Sequence, residues 1–115
     1  MNAALINHAT FQELQANTGA EFVAELVDTF AEEAPQLLDE MRSALDDGAA
    51  DRFRRAAHSL KSNSNTFGAQ HLAEMARALE LGGLPAGPAP VEALAQEFER
   101  TLAALRGLAQ GREHG

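Results

Sequence analysis

His58 is the residue of this chain whose neighbours most favour chemistry. It lies in the run AAHSLKSNSNTFGA, and Lys61, the single lysine of the chain, follows three residues later. Between Arg52 and Lys61 there are four cations and no acid, although the whole chain has 17 acids and only 9 lysines and arginines. A histidine on a helix, with cations one turn away and short polar side chains beyond it, is suited to carry a phosphoryl group.

Helical periodicity places His58 outside the buried stripe of a helix predicted over residues 50–66. The buried stripe consists of Phe53, Ala57, Leu60, Ser64 and Phe67. His58 lies about 100° round the helix from Ala57, at the edge of that stripe or beyond it. The residues that share its side are Arg54, Lys61, Ser62 and Asn65. The imidazole is therefore expected to be exposed, with no bulky side chain in the way of a partner.

Periodicity alone fits an ordinary surface histidine equally well. An exposed histidine is largely neutral near neutral pH, and the neutral ring has a nucleophilic nitrogen. Nearby cations are expected to favour that form. The cation cluster and the unique lysine favour a chemical role for His58. His71 is interpreted as a solvated or packing residue, and His8 and His114 as inert.

Other kinds of site find little support in the sequence. No two histidines have the spacing of a helical zinc site, and no phosphate-binding glycine motif occurs. The carboxylates of residues 18–46 and of the residues from 90 onwards, two segments predicted to be helical, are interpreted as solvated faces. The net charge of −8 on 115 residues is unsuited to nucleic acids or anionic membranes, and the chain has no cysteine. No apolar stretch approaches the about 20 residues of a membrane span, so we expect a cytoplasmic protein.

The composition predicts an all-α fold, because alanine, leucine, glutamate and arginine are abundant while β-branched residues are sparse. Helices are predicted over residues 10–17, 18–46, 50–66, 69–81 and from 90 onwards. The apolar positions of the last helix are Val91, Leu94, Phe98, Leu102 and Leu105. Two Thr-x-x-Glu capping boxes predict that the first two helices begin at Thr10 and Thr18. The arrangement expected is an antiparallel four-helix bundle with an additional short N-terminal helix across one end.

The second helix carries a proline within its apolar pattern. The apolar row expected to be buried consists of Phe22, Leu26, Phe30, Ala34, Leu37, Met41 and Leu45. Pro35 removes one backbone hydrogen bond, so we expect a kink or two abutting helices. Gly68 is predicted to end the third helix, and the Gly/Pro-rich segment 82–90 to form a loop.

The segment AAHSLKSNSNTFGAQHLAEMARALE resembles the signature of the histidine-containing phosphotransfer (HPt) domain. That signature is AH-x-LK-[GS]-x-x-x-x-[LIVF]-G-x-x-x-L, with a Leu-Glu pair that closes the next helix. The matching residues are Ala57, His58, Leu60, Lys61, Phe67, Gly68, Leu72, Leu79 and Glu80. The upstream sequence is similar too, including Pro35, so the resemblance covers about residues 5–106.

The resemblance implies roles for individual residues. His58 would accept the phosphoryl group on its exposed ring nitrogen, and Lys61 would stabilise that group. Glu80 stands where family members often have a polar residue that bonds the other ring nitrogen. Ser62 replaces the commonest glycine, and its small side chain should still permit docking. The supporting residues expected are Ser62, Asn65, Glu80, Arg54, Arg55 and Gly68.

The resemblance also implies the reaction and its partners. Residues 1–115 would form a single domain, with its core over 5–106 and a frayed tail at 107–115. The protein would be free-standing and monomeric. It would exchange a phosphoryl group with aspartates in receiver domains of response regulators or hybrid histidine kinases, docking through the third helix and the facing part of the second. It would have no kinase activity, cofactor or metal of its own, since the receiver supplies Mg²⁺.

Two other functions stay open at this point. The chain could be a helical adaptor of the same fold that binds receivers or kinases without phosphotransfer. A helical carrier of a metal or ligand would need converging ligands in the bundle core, and the sequence offers none.

Overall fold

The computed structural model describes residues 6–109, and all regular elements in that range are α-helices. These are α1 (His8–Thr18), α2 (Ala20–Asp47), α3 (Ala50–Thr66), α4 (Gln70–Gly82) and α5 (Ala89–Ala109). The all-α prediction is confirmed. Each helix of the bundle begins and ends within a few residues of its predicted bounds. Helix ends are themselves defined only to within one or two residues.

Helices α2 to α5 form the bundle, and α1 covers one end of it. Each of α2 to α5 packs against two others of the four, with contacts α2–α3, α3–α4, α4–α5 and α5–α2. The backbone N–H of Asn7, just before α1, donates to the carbonyl of Gly68 in the turn between α3 and α4. None of the helices in residues 6–109 is long and apolar enough to cross a membrane.

The predicted caps of the first two helices are wrong. Asn7, three residues before Thr10, caps α1, because its Oδ1 accepts from the backbone N–H of Thr10 at 3.1 Å. Thr18 lies inside the last turn of α1, where its hydroxyl donates to the carbonyl of Leu14. Gly19 precedes α2 instead, without a side-chain cap. A Thr-x-x-Glu pattern within a helix cannot be told from a cap by sequence alone.

On α2, four of the seven residues in the predicted row are replaced in the buried face by a neighbour in sequence. Phe30, Ala34 and Met41 are buried as expected. The other buried residues of α2 are Val23, Val27, Leu38 and Ala44. Leu26, Leu37 and Leu45 are half-buried against the core, whereas Phe22 keeps 48% of its surface exposed. Helix α2 has two adjacent apolar rows, and packing against both α3 and α5 buries one of them fully.

The buried stripes of α3 and α5 were correctly predicted. In α3 and the following turn these residues are Phe53, Ala57, Leu60, Ser64 and Phe67. In α5 they are Val91, Leu94, Phe98, Leu102 and Leu105. Phe30 joins the stripes, since its ring centroid lies 5.2 Å from that of Phe67 and 5.3 Å from that of Phe98. Three aromatic rings thus tie α2, α5 and the end of α3 together.

Helix α2 runs as one element through Pro35, so the alternative of two abutting helices is wrong. Gly68 ends the third helix as predicted: it has a φ of 77°, and its N–H donates to the carbonyl of Asn65. Helix α5 continues to Ala109, three residues into the expected tail. The rest of that tail, residues 110–115, lies outside the described residues.

Candidate functional site

His58 lies on the outer face of α3 with its ring held from one side. Its side chain is 55% exposed, as the periodicity predicted. Its Nδ1 lies 2.8 Å from Oε2 of Glu80 on α4. A carboxylate accepts hydrogen bonds only, so this contact favours the tautomer with the proton on Nδ1. In that tautomer Nε2 carries the free lone pair, which makes it the nucleophilic atom.

Glu80 also contacts the lysine of the motif. Its Oε1 lies 2.9 Å from Nζ of Lys61, so one carboxylate bridges Lys61 and His58. The Glu80 side chain is only 11% exposed, whereas that of Lys61 is 23% exposed. Hydrogen bonds from Lys61 and then from His58 lower the pKa of Glu80. The carboxylate therefore stays ionised and can balance positive charge on the imidazole.

The turn between α3 and α4 brings these three residues together. Glu80 is 22 residues from His58 in sequence, and the two helices run back along each other after a turn at residues 67–69. Gly68 allows this turn because its φ of 77° favours glycine, and because a Cβ there would lie 2.8 Å from the carbonyl oxygen of Asn7. Gly68 is thus a residue of the turn, and its part in the site is indirect.

The arginines before His58 are paired with acids, although the sequence window from Arg52 to Lys61 contains none. Arg54 and Arg55 both contact Asp51, at 2.6 and 3.1 Å. Arg52 bonds Glu40 and Asp47 on α2. The sequence window from Arg52 to Lys61 excludes Asp51 by one residue, and the other acids come from another helix. Among the four cations, Lys61 is the one whose ion pair involves the partner of His58.

Ser62 and Asn65 lie on α3 beyond His58, and both are exposed. The hydroxyl of Thr66 donates to the backbone carbonyl of Ser62. Asn65 lines a shallow cavity between α3 and α4 together with Lys61 and Arg77. The surface around the imidazole on α3 is therefore made of short polar side chains, as the sequence indicated.

A groove between α2 and α3 begins beside His58. One cavity lies next to Ser59 and is lined by Glu33, Gln36, Leu37, Ser59 and Asn63. A second cavity continues from it and is lined by Leu26, Thr29, Phe30, Glu33, Asn63, Thr66 and Phe67. The two cavities share Glu33 and Asn63, and together they are called the α2–α3 groove below. Leu26 and Leu37 come from the row of α2 that had been predicted as core.

A second histidine has a similar arrangement, which the sequence did not suggest. Nδ1 of His71, whose side chain is 51% exposed, lies 2.9 Å from Oε2 of Glu97 on α5. Glu97 is buried, with its side chain 2% exposed, and its Oε1 pairs with Arg100. Its interpretation as part of a solvated face is therefore wrong. Burial raises the pKa of Glu97, but hydrogen bonds from Arg100 and His71 outweigh burial and lower it.

This second cluster joins α4 to α5 near the start of α4. The spacing of 26 residues between His71 and Glu97 carries no local signal in the sequence. The one available hint was that Glu97 lies next to Phe98, within the buried stripe of α5. In residues 6–109 no group of three or more histidines and acids is placed to hold a metal ion.

Comparisons with known proteins agree with this fold. A family model described as the Hpt domain matches residues 25–106. That range is well over half of the chain and includes His58, Lys61 and Glu80. The chain therefore belongs to the Hpt domain family, whose members are phosphocarriers.

A solved structure extends the likeness over nearly the whole chain. It is the crystal structure of histidine-containing phosphotransfer protein B (HptB) from Pseudomonas aeruginosa PAO1. The similarity has a TM-score of 0.73 at 29% sequence identity and covers 96% of each chain. No curated protein matches the chain significantly. The chain is a histidine phosphotransfer intermediate of phosphorelays.

Proposed function

We propose that His58 accepts a phosphoryl group from the phosphoaspartate of one receiver domain and passes it to the aspartate of another. The observation that carries this assignment is the exposed imidazole whose Nδ1 is bonded to Glu80. That hydrogen bond leaves Nε2 as the nucleophile and limits rotation of the ring. Positioning and charge stabilisation are most of what phosphoryl transfer requires of a protein.

The transfer conserves atoms and charge without a base. The lone pair of Nε2 forms a bond to phosphorus while the bond from phosphorus to the aspartyl oxygen breaks, and the aspartate leaves as a carboxylate. The proton on Nδ1 stays in place, so the phosphorylated ring becomes cationic. That charge develops 2.8 Å from Oε2 of Glu80, which stabilises it. Reversal of the same steps delivers the phosphoryl group to the next receiver.

Lys61 can bind the phosphoryl group without leaving Glu80. A lysine ammonium has three N–H donors, and Nζ of Lys61 lies 2.9 Å from Oε1 of Glu80 in an ion pair. Donors that this ion pair does not use remain for phosphoryl oxygens. The ion pair restricts the Lys61 side chain, and this reduces the entropy that Lys61 loses when the phosphoryl group arrives.

The chain would act as a carrier in the cytoplasm, without kinase activity or a cofactor of its own. Mg²⁺ would be held by the receiver beside its aspartate. The docking surface would include the outer face of α3 around His58 and the neighbouring part of α2. Exposed Ser62 and Asn65 support this placement, because they leave the approach to the imidazole open. An adaptor without phosphotransfer would use the same surface, so transfer itself has to be measured.

The test is transfer of label from a phosphorylated receiver to the purified chain. His58→Gln should remove the label, which should be labile in acid and stable in base as expected for phosphohistidine. His71→Gln is a matched control, because His71 is also exposed and bonded through Nδ1 to a carboxylate. This control should be labelled as well as the wild type. Label that persists in His58→Gln would show that another residue is the acceptor, and binding without any label would favour the adaptor.

A further inference from the structure

The α2–α3 groove contains one charged residue among its lining side chains. Glu33 lines both of its cavities, and every other lining residue is apolar or uncharged. Glu33 is exposed and forms no ion pair with any residue between 6 and 109. Its charge is therefore available to a molecule that covers the groove.

The groove lies where a partner bound at His58 would extend. Ser59 of the first cavity directly follows His58. Asn63, which both cavities share, is five residues from His58, or about 7.5 Å along the axis of α3. We therefore expect a receiver that places its aspartate at the imidazole to extend over the groove and Glu33.

The arginines of α3 do not offset the charge of Glu33. Arg54 and Arg55 share Asp51, and Arg52 is bonded to Glu40 and Asp47. Residues 20–37 of α2, which include the wall of the groove, have four acids besides Glu33 and no cation: Glu21, Glu25, Asp28 and Glu32. Among these, Asp28 lies 4.0 Å from Arg106 of α5. The potential over the groove is therefore negative, although the sequence window around His58 is rich in cations.

We propose that Glu33 is a specificity-determining residue, which selects receiver domains that present a lysine or arginine to the α2–α3 groove. This inference depends on the proposed function, because it assumes that a receiver docks at His58. Leu26, Leu37 and the edges of Phe30 and Phe67 would hold apolar side chains of that receiver. Glu33 would pair with the cation among them, and it would repel a receiver with an acid at the same place.

A comparison with His71 indicates that selection of the receiver needs a feature outside the imidazole. His58 and His71 have similar exposure and similar hydrogen bonds to a carboxylate. These contacts therefore do not distinguish one receiver from another. The α2–α3 groove is lined by α3 residues on both sides of position 61 and by none from α4 or α5, so it is a feature of the His58 side.

The experiment compares charge reversal at two adjacent acids. Transfer rates from a panel of phosphorylated receiver domains are measured for the wild type, Glu33→Lys and Glu32→Lys. Both variants change the net charge equally and both positions are exposed, but Glu32 lines neither cavity. For the receiver that transfers fastest to the wild type, Glu33→Lys should reduce kcat/KM by roughly tenfold or more at low salt. Glu32→Lys should change it by no more than about twofold.

A second arm tests the pairing directly. In the preferred receiver, each lysine or arginine near the phosphoaspartate is changed to glutamate, and one of these changes should be rescued by Glu33→Lys. Raising the salt concentration should reduce the difference between wild type and Glu33→Lys, because the Debye length falls from about 10 Å at 0.1 M to about 3 Å at 1 M.

The outcomes separate this inference from the proposed function. Wild-type transfer that is lost in His58→Gln supports the proposed function whatever happens at Glu33. If Glu33→Lys then behaves like Glu32→Lys with every receiver, or if no charge swap restores the rate, Glu33 does not select the partner and the inference is overturned. Absence of transfer to the wild type from every receiver would refute the proposed function and this inference with it.

Discussion

Replacement of Glu80 should slow phosphotransfer while leaving His58 exposed. Glu80 supplies the hydrogen bond to Nδ1 of His58 at 2.8 Å and the ion pair to Lys61 at 2.9 Å. In Glu80→Ala the ring can adopt either tautomer and can rotate, and Lys61 loses its ion pair. Loss of a residue that orients a metal-binding histidine typically costs about 10–100-fold in affinity or activity, and Glu80 orients His58 in the same way. We expect a decrease of that size in the rate of transfer.

Glu80→Gln separates the contribution of ring orientation to the transfer rate from the contribution of the carboxylate charge. The amide oxygen can still accept a hydrogen bond from the N–H at Nδ1, so the ring keeps its tautomer and orientation. The amide carries no charge, however, so it neither fixes the Lys61 ammonium nor stabilises the cationic phosphoimidazole. We expect a decrease of about 3–10-fold, between the wild type and Glu80→Ala, since charge-assisted hydrogen bonds are roughly twice as strong as neutral ones.

The assay is single-turnover transfer from a ³²P-labelled receiver, quenched at short times and resolved on a gel. Glu74→Gln is the control, because it removes an exposed acid from the same helix but belongs to no ion pair with His58 or Lys61. Helical content and urea unfolding are measured in parallel to verify that α4 stays folded. Wild-type rates in a folded Glu80→Ala variant would refute the idea that this carboxylate orients the nucleophile.

Three further predictions concern the neighbouring residues and the fold. Lys61→Ala should keep the fold and slow transfer by about tenfold or more, and an unchanged rate would remove Lys61 from the site. Gly68→Ala should destabilise the chain by about 2–4 kcal/mol in urea unfolding, because it adds a clash with α1 to the strain of a positive φ. Gly48→Ala, with a φ of 66° and open space around it, should cost only about 1 kcal/mol. Because folding lowers the pKa of Glu97, its stabilisation is present above the unfolded pKa, near 4.3, and is lost as the pH falls through the folded value. The difference in unfolding free energy between wild type and Glu97→Gln should therefore shrink below about pH 4.3, and a constant difference would contradict this linkage.

The sequence predicted what depends on local periodicity. The stripes of α3 and α5 were correct because each of these helices has one apolar face, and the exposure of His58 followed from the stripe of α3. Helix α2 has two adjacent apolar rows, so periodicity could not decide which of them is buried. Packing against α3 and α5 decides it, and the second row then forms one wall of the α2–α3 groove.

The ion pairs between residues of different helices could not be predicted from the sequence. The window around His58 appeared free of acids, but Asp51 lies just before it and Glu40 and Asp47 approach from α2. Glu80 was assigned through the family resemblance, since a spacing of 22 residues has no helical meaning by itself. Neither the family resemblance nor the spacing in the sequence indicated the contact between His71 and Glu97. Charges are placed by the packing of whole helices, so a count of charges along the chain does not give the local potential.

The pairing of arginines with acids changes how recognition at His58 has to be explained. A free cationic patch would attract acidic partners without distinguishing among them. With Arg52, Arg54 and Arg55 neutralised by their neighbours, Lys61 is left to act on the phosphoryl group, and its position is fixed by Glu80. The reactivity of His58 and the choice of the receiver then depend on different surfaces of the protein. The contact between α3 and α4 sets the reactivity of the imidazole, while the α2–α3 groove decides which receiver can reach it.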